Sequence, residues 1–508
     1  MKRIVALGLV LAAAWPAAAP ARAAERVAVL VVPASSPVFA SPKAAHGLVV
    51  AGEGATVSRR GALASLLRGA MGNAVVDSGI PGGRPKISLS TRPAETTFYV
   101  ALPPPGTHHN VVRYPIAVIG PGYHGLLTSS ATHLTGLIAI SDVAPSVLAL
   151  RRGDRPVVRS RASSDPLGYL RSFDSRLTHA HDSRTGGVLV LVGLMVVLGL
   201  LALATGSRAL GRAAFLAAPS CLVVSLILSA AGVTSLTEIV VALALGSAAL
   251  ALAGGALLPP PLRLALGLAA LFAFVFVVLW AEPSWNSLAA LGARPDGGGR
   301  FYGVNNQIAT LLFSPALVLG ALVRGPWLVA VALIVSAGVG VSSVGANGGA
   351  LVSYLAGFVV LGLLVRETRP SAARAAAGIA VAVVVAFALV GIDAALGGSS
   401  HVTHAVGGGP GTLAGDFAHR LHLTAAAIGS TWNAALLFAL STAVLAYLAW
   451  RRPRFAVLDA LLAGLVVLVL VSDTPTEITG LGVLSAIVLR VWLERCGESL
   501  TPLDRVPR

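Results

Sequence analysis

Eight consecutive residues, Arg300-Phe301-Tyr302-Gly303-Val304-Asn305-Asn306-Gln307, gather a guanidinium, a phenolic hydroxyl and three side-chain amides just ahead of a long apolar run. Such groups donate hydrogen bonds to phosphate or sugar oxygens, and a guanidinium grips a phosphate through two parallel N–H bonds. Three other polar clusters precede apolar runs in the same way: Gly345-Ala346-Asn347-Gly348-Gly349, residues 397 to 425, and Ser472-Asp473-Thr474-Pro475-Thr476-Glu477. Each is predicted to open a helix, whose unpaired N–H groups and dipole favour an anion. Capping competes with binding at two of them. Asn347 sits in a turn that needs Asn and Gly, and Thr474, Pro475 and Glu477 fall at the N-cap, N1 and N3 positions of a capping box. The Arg300 cluster holds more polar groups than a cap requires. Arg300, Tyr302, Asn305, Asn306, Asn347 and Asp473 are therefore the candidate ligand-binding residues.

His401, His404, His419 and His422 form two His-x-x-His pairs, a spacing that can bring two imidazoles to one metal. No cysteine joins them, and the nearby carboxylate is Asp416. On a helix starting near residue 412, Leu413, Phe417 and Leu421 make one stripe, His419 and His422 lie opposite, and Asp416 can pair with Arg420. An interfacial helix accounts for this pattern without a metal, so no cofactor is expected.

The elements that must position these groups follow from composition. The chain has 508 residues, 56% of them hydrophobic and 11% charged, whereas a soluble domain carries about 25% charge. From Gly186 onward eleven apolar runs follow one another, near 186–205, 213–232, 238–255, 263–281, 306–323, 326–344, 348–365, 374–396, 426–450, 455–472 and 477–493. Each approaches the roughly twenty residues that cross about 30 Å of hydrocarbon as a helix. The fold class expected is a polytopic α-helical membrane protein with about eleven transmembrane helices (residues 186–496), preceded by a small α/β extracytoplasmic domain (25–185) and followed by a tail (497–508).

The first 24 residues read as a signal peptide: Lys2-Arg3, an apolar run from Ile4 to Trp15, then the small-x-small site Ala21-Arg22-Ala23. Residues 25 to 185 hold 17 basic and 9 acidic residues, including a run from Arg151 through Arg161 read as a linker facing lipid headgroups. Strand-like runs at Val27–Val32, Ile116–Ile119 and Leu137–Ile140, and helical ones near Arg59–Met71 and Val143–Leu150, predict an α/β domain. Of the 17 arginines after residue 186, all but Arg294, Arg300 and Arg420 fall in loops on one side. The positive-inside rule makes that side cytoplasmic. The four polar clusters and all eleven histidines then share the outer side of a plasma membrane. Richness in Ala, Val, Gly and Arg points to a GC-rich bacterial genome.

Composition also excludes functions. The net charge of +16 is spread between apolar runs rather than on one accessible face, so membrane lipids are the expected partner and nucleic acid is not. Asp393, Asp459 and Glu238 lie near helix ends, and no ionisable residue is predicted at a helix midpoint, where ion-driven pumps carry one. Ser225, Ser336, Ser441 and Thr442 are mid-helix hydroxyls of the kind that bond within or between helices. Cys221 and Cys496 fall outside residues 25–185, so no disulfide framework is expected.

Arg113-Tyr-Pro-Ile-Ala-Val-Ile-Gly-Pro-Gly122, Leu126-Leu-Thr-Ser129 and Leu137-Ile-Ala-Ile-Ser-Asp-Val-Ala-Pro-Ser-Val-Leu-Ala-Leu150 resemble the late core of the alkaline-phosphatase superfamily of sulfatases and phosphodiesterases. Ala55-Thr56-Val57-Ser58-Arg59 resembles that family's nucleophile turn, which makes Thr56 a candidate catalytic residue. More broadly, such a domain ahead of a multi-helix region with an outer Phe-Tyr-Gly motif is similar to uncharacterised bacterial envelope proteins. The departures are large. Active members hold two metals, beginning with an Asp after the first strand, but Val29-Leu-Val-Val-Pro-Ala34 has none, and Ala101-Leu-Pro-Pro-Pro105 stands before the Gly-Pro-Gly strand. A threonine without metals is a poor nucleophile. The resemblance thus implies a truncated, non-hydrolytic relative.

Three functions fit these features. The first is binding or moving a lipid-linked glycan or phosphate-bearing envelope precursor at the outer face. The second is a transferase or hydrolase acting on such a lipid, with a His or Asp473 as base. The third is a scaffold for envelope-assembly proteins.

Overall fold

The computed structural model describes residues 24–73, 79–323, 325–366, 372–395 and 410–500. The expected signal peptide and the end of the tail lie outside these residues, as do His401 and His404.

The N-terminal region is a mixed sheet flanked by helices. Its nine strands are β1 (Val27–Val31), β2 (Ala45–Val50), β3 (Thr56–Ser58), β4 (Thr96–Val100), β5 (Thr107–His109), β6 (Tyr114–Ile119), β7 (Gly125–Ser129), β8 (Leu137–Ala139) and β9 (Val158–Arg161). Seven form one sheet in the order β1-β4-β6-β2-β7-β9, with β8 also on β2, while β3 and β5 form a separate ribbon. β6 and β9 run antiparallel to their neighbours. Val29, Phe98 and Val118 are fully buried, and α1 (Arg59–Arg68) and α2 (Val143–Arg152) add Leu66, Val147 and Leu150 to the same core. The Ser58 hydroxyl accepts from the Gly61 N–H at 3.1 Å to start α1. Each strand and helix read in the sequence recurs within a few residues. Asp142, at the start of α2, accepts from the Ser129 hydroxyl at 2.6 Å and the Ala139 N–H at 3.2 Å, and burial pushes its carboxyl up to about 6.

Thirteen further helices follow: α3 (Pro166–Thr205), α4 (Arg208–Ala230), α5 (Leu236–Leu257), α6 (Leu262–Ala281), α7 (Pro283–Ser287), α8 (Asn306–Val323), α9 (Gly325–Gly340), α10 (Gly348–Val365), α11 (Ala372–Ala395), α12 (Pro410–Gly429), α13 (Trp432–Trp450), α14 (Ala456–Leu470) and α15 (Pro475–Arg490). Among the described residues nine helices are long and apolar enough to cross a membrane, not eleven. Two of the expected runs fall short: α9 has 16 residues and α14 has 15, about 24 Å of helix against about 30 Å of hydrocarbon. Both stop at the polar clusters, which draw Ser342 and Ser472 out of the apolar runs. The run expected at 426–450 is also split, because the Thr431 hydroxyl caps a new helix by accepting from the Ala434 N–H at 3.1 Å. Trp432 and Trp450 bracket α13 at 78% and 87% exposure, about 27 Å apart and at the spacing of two interfacial aromatic belts.

The boundary expected at 185/186 falls inside α3, a 40-residue helix. Its apolar stripe continues from Leu170, Phe173 and Leu177 to Leu191, Met195 and Leu198, so nothing interrupts the helix as its surroundings change. The Arg113 guanidinium fastens the α/β domain to it, donating to Asp174 Oδ1 at 2.6 Å and Thr178 Oγ1 at 2.7 Å. At the far end of α3, Arg495 donates to the Leu203 carbonyl at 3.1 Å, Arg212 pairs with Glu498 and Arg451 with Glu494. The arginine-rich segments thus gather at the end of the bundle away from the α/β domain.

Candidate functional site

The site is built where the bundle meets the α/β domain, on the loop from Glu282 to Asn305. That loop is pinned from below: the Asn286 amide donates to the Gly303 carbonyl at 2.7 Å and the Ser287 hydroxyl to the Phe301 carbonyl at 2.6 Å. Phe301 packs with Leu134, Leu137, Phe173 and Leu177, a small core shared by both regions. Gly303 adopts φ +76, and a Cβ there would stand 2.4 Å from the Gly345 carbonyl oxygen. That close approach lets the Val304 N–H donate to the same oxygen at 2.8 Å, so the two polar loops lie backbone to backbone.

The six candidate residues meet there. Asn305 caps α8, accepting from the Ile308 N–H at 2.7 Å while its amide donates to the Gly292 carbonyl at 2.7 Å. Asn347 caps α10 in the same way, accepting from the Ala350 N–H at 3.0 Å, and its amide donates to the Val304 carbonyl and to Asn306 Oδ1. The Asn306 amide nitrogen donates to Asp473 Oδ1 and to the Thr474 hydroxyl, each at 2.9 Å. Three helix starts, those of α8, α10 and α15, are therefore tied together by one run of side chains. The capping box expected at Thr474 does not form. Thr474 is engaged by Asn306, and Glu477 is drawn to Arg294 at 2.6 Å, a charged partner that outcompetes a backbone N–H.

Burial sorts the six into two groups. Tyr302, Asn305 and Asn347 are buried, and their polar atoms are spent on the protein itself. The Tyr302 hydroxyl donates to the Ser342 carbonyl at 2.8 Å, and burial pushes it up to about 12. Ser342 in turn gives its N–H and hydroxyl to the buried Asp393 of α11. Arg300, Asn306 and Asp473 are half-buried. The Arg300 Nη1 donates to the Ala346 carbonyl at 3.1 Å and more weakly to that of Gly345, and among the described residues Arg300 makes no ion pair. Burial lowers its pKa, against Asp473 and Glu53, which raise it, while Arg420 adds to the lowering.

Four further residues contribute, and two of them, His133 and Glu53, were not singled out in the sequence. His133, at φ +55 in the β7–β8 loop, lays its ring on Tyr302 with centroids 4.1 Å apart. Glu53 brings a second carboxylate from the α/β domain within electrostatic reach of Arg300. Arg420 of α12 lies one turn before Thr424, whose hydroxyl bonds both the Arg420 carbonyl, at 2.9 Å, and the Ser472 carbonyl. Gln307 accepts from Arg294 at 3.0 Å, but its amide nitrogen is buried without an acceptor among the described residues. No pattern in the sequence links positions this distant; only their long-range pairing does.

The other candidates stand apart. Thr56 lies in β3 opposite His109, and Ser58 rather than Thr56 occupies the start of α1. His419 and His422 are exposed on α12. Among the described residues no three His, Cys, Asp or Glu side chains converge as a metal-holding group. The mid-helix Ser225 was expected to bond within or between helices; it accepts instead from the Leu291 N–H at 3.1 Å, tying α4 to the site loop.

No protein-family model, curated protein or solved structure matches this chain. The reading of the site rests on its geometry.

Proposed function

We propose that this is a multi-pass protein of a bacterial plasma membrane, with the α/β domain and the Arg300 site outside and the arginine-rich end in the cytoplasm. There it binds, and presents or moves, a lipid-linked, phosphate-bearing envelope precursor. The observation that carries this reading is Arg300 itself: a half-buried guanidinium, free of an ion pair among the described residues, held at the convergence of three helix starts under a roof supplied by another domain. Asp473 and Glu53 act on this cation without pairing with it, and a phosphate would supply a directly bonded counter-charge through charge-assisted bonds. Backbone N–H groups and dipoles of the helix starts add to the attraction. The α/β domain serves as a non-hydrolytic cover, a degenerate relative of the alkaline-phosphatase superfamily, and no catalytic residue is needed for the role.

The test is binding of polyprenyl phosphate to the full chain in nanodiscs. Arg300→Ala should weaken it tenfold to a hundredfold and Arg300→Lys should restore part of the loss, since lysine keeps the charge but not the fork. Unchanged affinity in a folded Arg300→Ala protein would end the proposal.

A further inference from the structure

The charges around Arg300 are mixed, and that mixture narrows the ligand. A site made for a bare phosphate would present donors only. Here Arg300 lies within electrostatic reach of Arg420 and of the carboxylates of Asp473 and Glu53, Asp473 is held by the Asn306 amide at 2.9 Å, and Arg300, Asn306 and Asp473 are each partly exposed. A carboxylate repels a phosphate but accepts from a hydroxyl, so its place next to the cations calls for a ligand that carries both groups. The turn of α12 that carries Arg420 is fixed nearby: Thr424, one turn on, bonds the carbonyls of Arg420 and of Ser472, the neighbour of Asp473.

A second observation points to a ligand oxygen. Gln307, 2% exposed, has its amide oxygen taken by Arg294, and its amide nitrogen finds no acceptor among the described residues. Arg294 donates to both Gln307 and Glu477, so this unmet donor lies between the first turns of α8 and α15, the two helices that Asn306 and Asp473 join. Buried donors are almost always satisfied, and an exception asks for a partner.

Resting on the phosphate-site reading above, we propose that the ligand is a lipid-linked sugar phosphate, whose phosphate lies between Arg300 and Arg420 and whose hydroxyls meet Asp473 and the Gln307 amide.

The experiment measures affinities of the full chain in nanodiscs for four probes: polyprenyl phosphate, the same lipid carrying a hexose on its phosphate, phosphatidylglycerol and soluble glucose 1-phosphate. The hexosyl lipid should bind at least tenfold tighter than polyprenyl phosphate, and phosphatidylglycerol and the soluble sugar phosphate weaker than either. Asp473→Asn, which keeps an acceptor for Asn306, should erase most of the preference for the hexose, read as the ratio of the affinities for the two polyprenyl lipids. Arg420→Gln, whose side chain ties no helix start among the described residues, should weaken both phosphate lipids alike. Equal binding of the two polyprenyl lipids, or a preference that survives Asp473→Asn, would overturn this inference and leave the phosphate site standing. Phosphatidylglycerol binding as tightly as the hexosyl lipid would reduce the site to a general anionic-lipid contact, and glucose 1-phosphate doing so would remove the lipid from the argument. If neither phosphate lipid binds, the underlying reading fails as well.

Discussion

The rings of His133 and Tyr302 lie 4.1 Å apart at 30° to each other, one supplied by the α/β domain and the other by the loop that opens α8. Through the Tyr302 hydroxyl this contact continues to Ser342 and then to Asp393 on α11. A single stack thus couples the position of the α/β domain to the bundle. His133→Ala should loosen the domain, costing about 1 kcal/mol as aromatic pairs do, visible as faster hydrogen exchange in residues 125–140. Desolvation at the junction, reinforced by Arg159, lowers the His133 pKa below 6.5. The docked state therefore binds fewer protons than the open one, so docking is fully stable above pH 6.5 and weakens as pH falls below it. The absence of a rise in exchange below pH 6.5 in wild type, or a rise as large in His133→Ala as in wild type, refutes the coupling.

Asn305 and Arg300 should separate stability from binding. Asn305→Ala removes the α8 cap and strands the Gly292 carbonyl, costing about 1 kcal/mol for the cap and roughly 1–3 for the orphaned acceptor. A clear fall in the melting temperature of the solubilised chain is expected. Arg300→Gln can still donate to the Ala346 carbonyl and should melt within a few degrees of wild type while losing function in complementation. A reversal of the two phenotypes would make Arg300 a structural brace.

Asp142 sets a pH dependence of opposite sign to that of His133. Its folded pKa of about 6 lies above the ordinary 3.8, so the folded domain holds the proton more tightly, and stability falls as pH rises from 3.8 through 6. Asp142→Asn keeps an acceptor for Ser129 and Ala139 without the buried charge. It should stabilise the domain at pH 7 by up to about 3 kcal/mol and flatten that part of the pH profile, read by protease protection of the full chain.

Topology is open to labelling because both native cysteines are buried. Ala231→Cys, at the domain-side turn after α4, should react with an impermeant maleimide added outside cells. Arg263→Cys, exposed at the opposite end at the start of α6, should not. The reverse pattern would invert the orientation and the placement of the site with it.

The α/β domain should show no metal-dependent phosphatase, phosphodiesterase or sulfatase turnover in the full chain. Activity above background that is lost in Thr56→Ala would make the domain an enzyme.

Much of this architecture was legible in one dimension because it depends on short-range patterns. Apolar runs of a given length can only be helices in lipid, and alternation or β-branching over a few residues marks strands such as β1 and β6, so element types and the membrane class follow from the chain alone. The arginine asymmetry was equally local. The candidate residues Arg300, Asn306, Asn347 and Asp473 could be picked out by type and by their place ahead of helices. Tertiary structure decided what each one does. Asn347 and Asn305 are spent on caps and Thr474 is diverted from its own helix to Asn306, because a partner brought close by folding outcompetes the sequence neighbour. Helix length was also decided in three dimensions, where α9 and α14 end early as Ser342 and Ser472 turn into the polar network. His133, Glu53 and the unmet amide of Gln307 have no signature in sequence. Their meaning is a distance to residues elsewhere in the chain, and a distance exists only once the helices have packed.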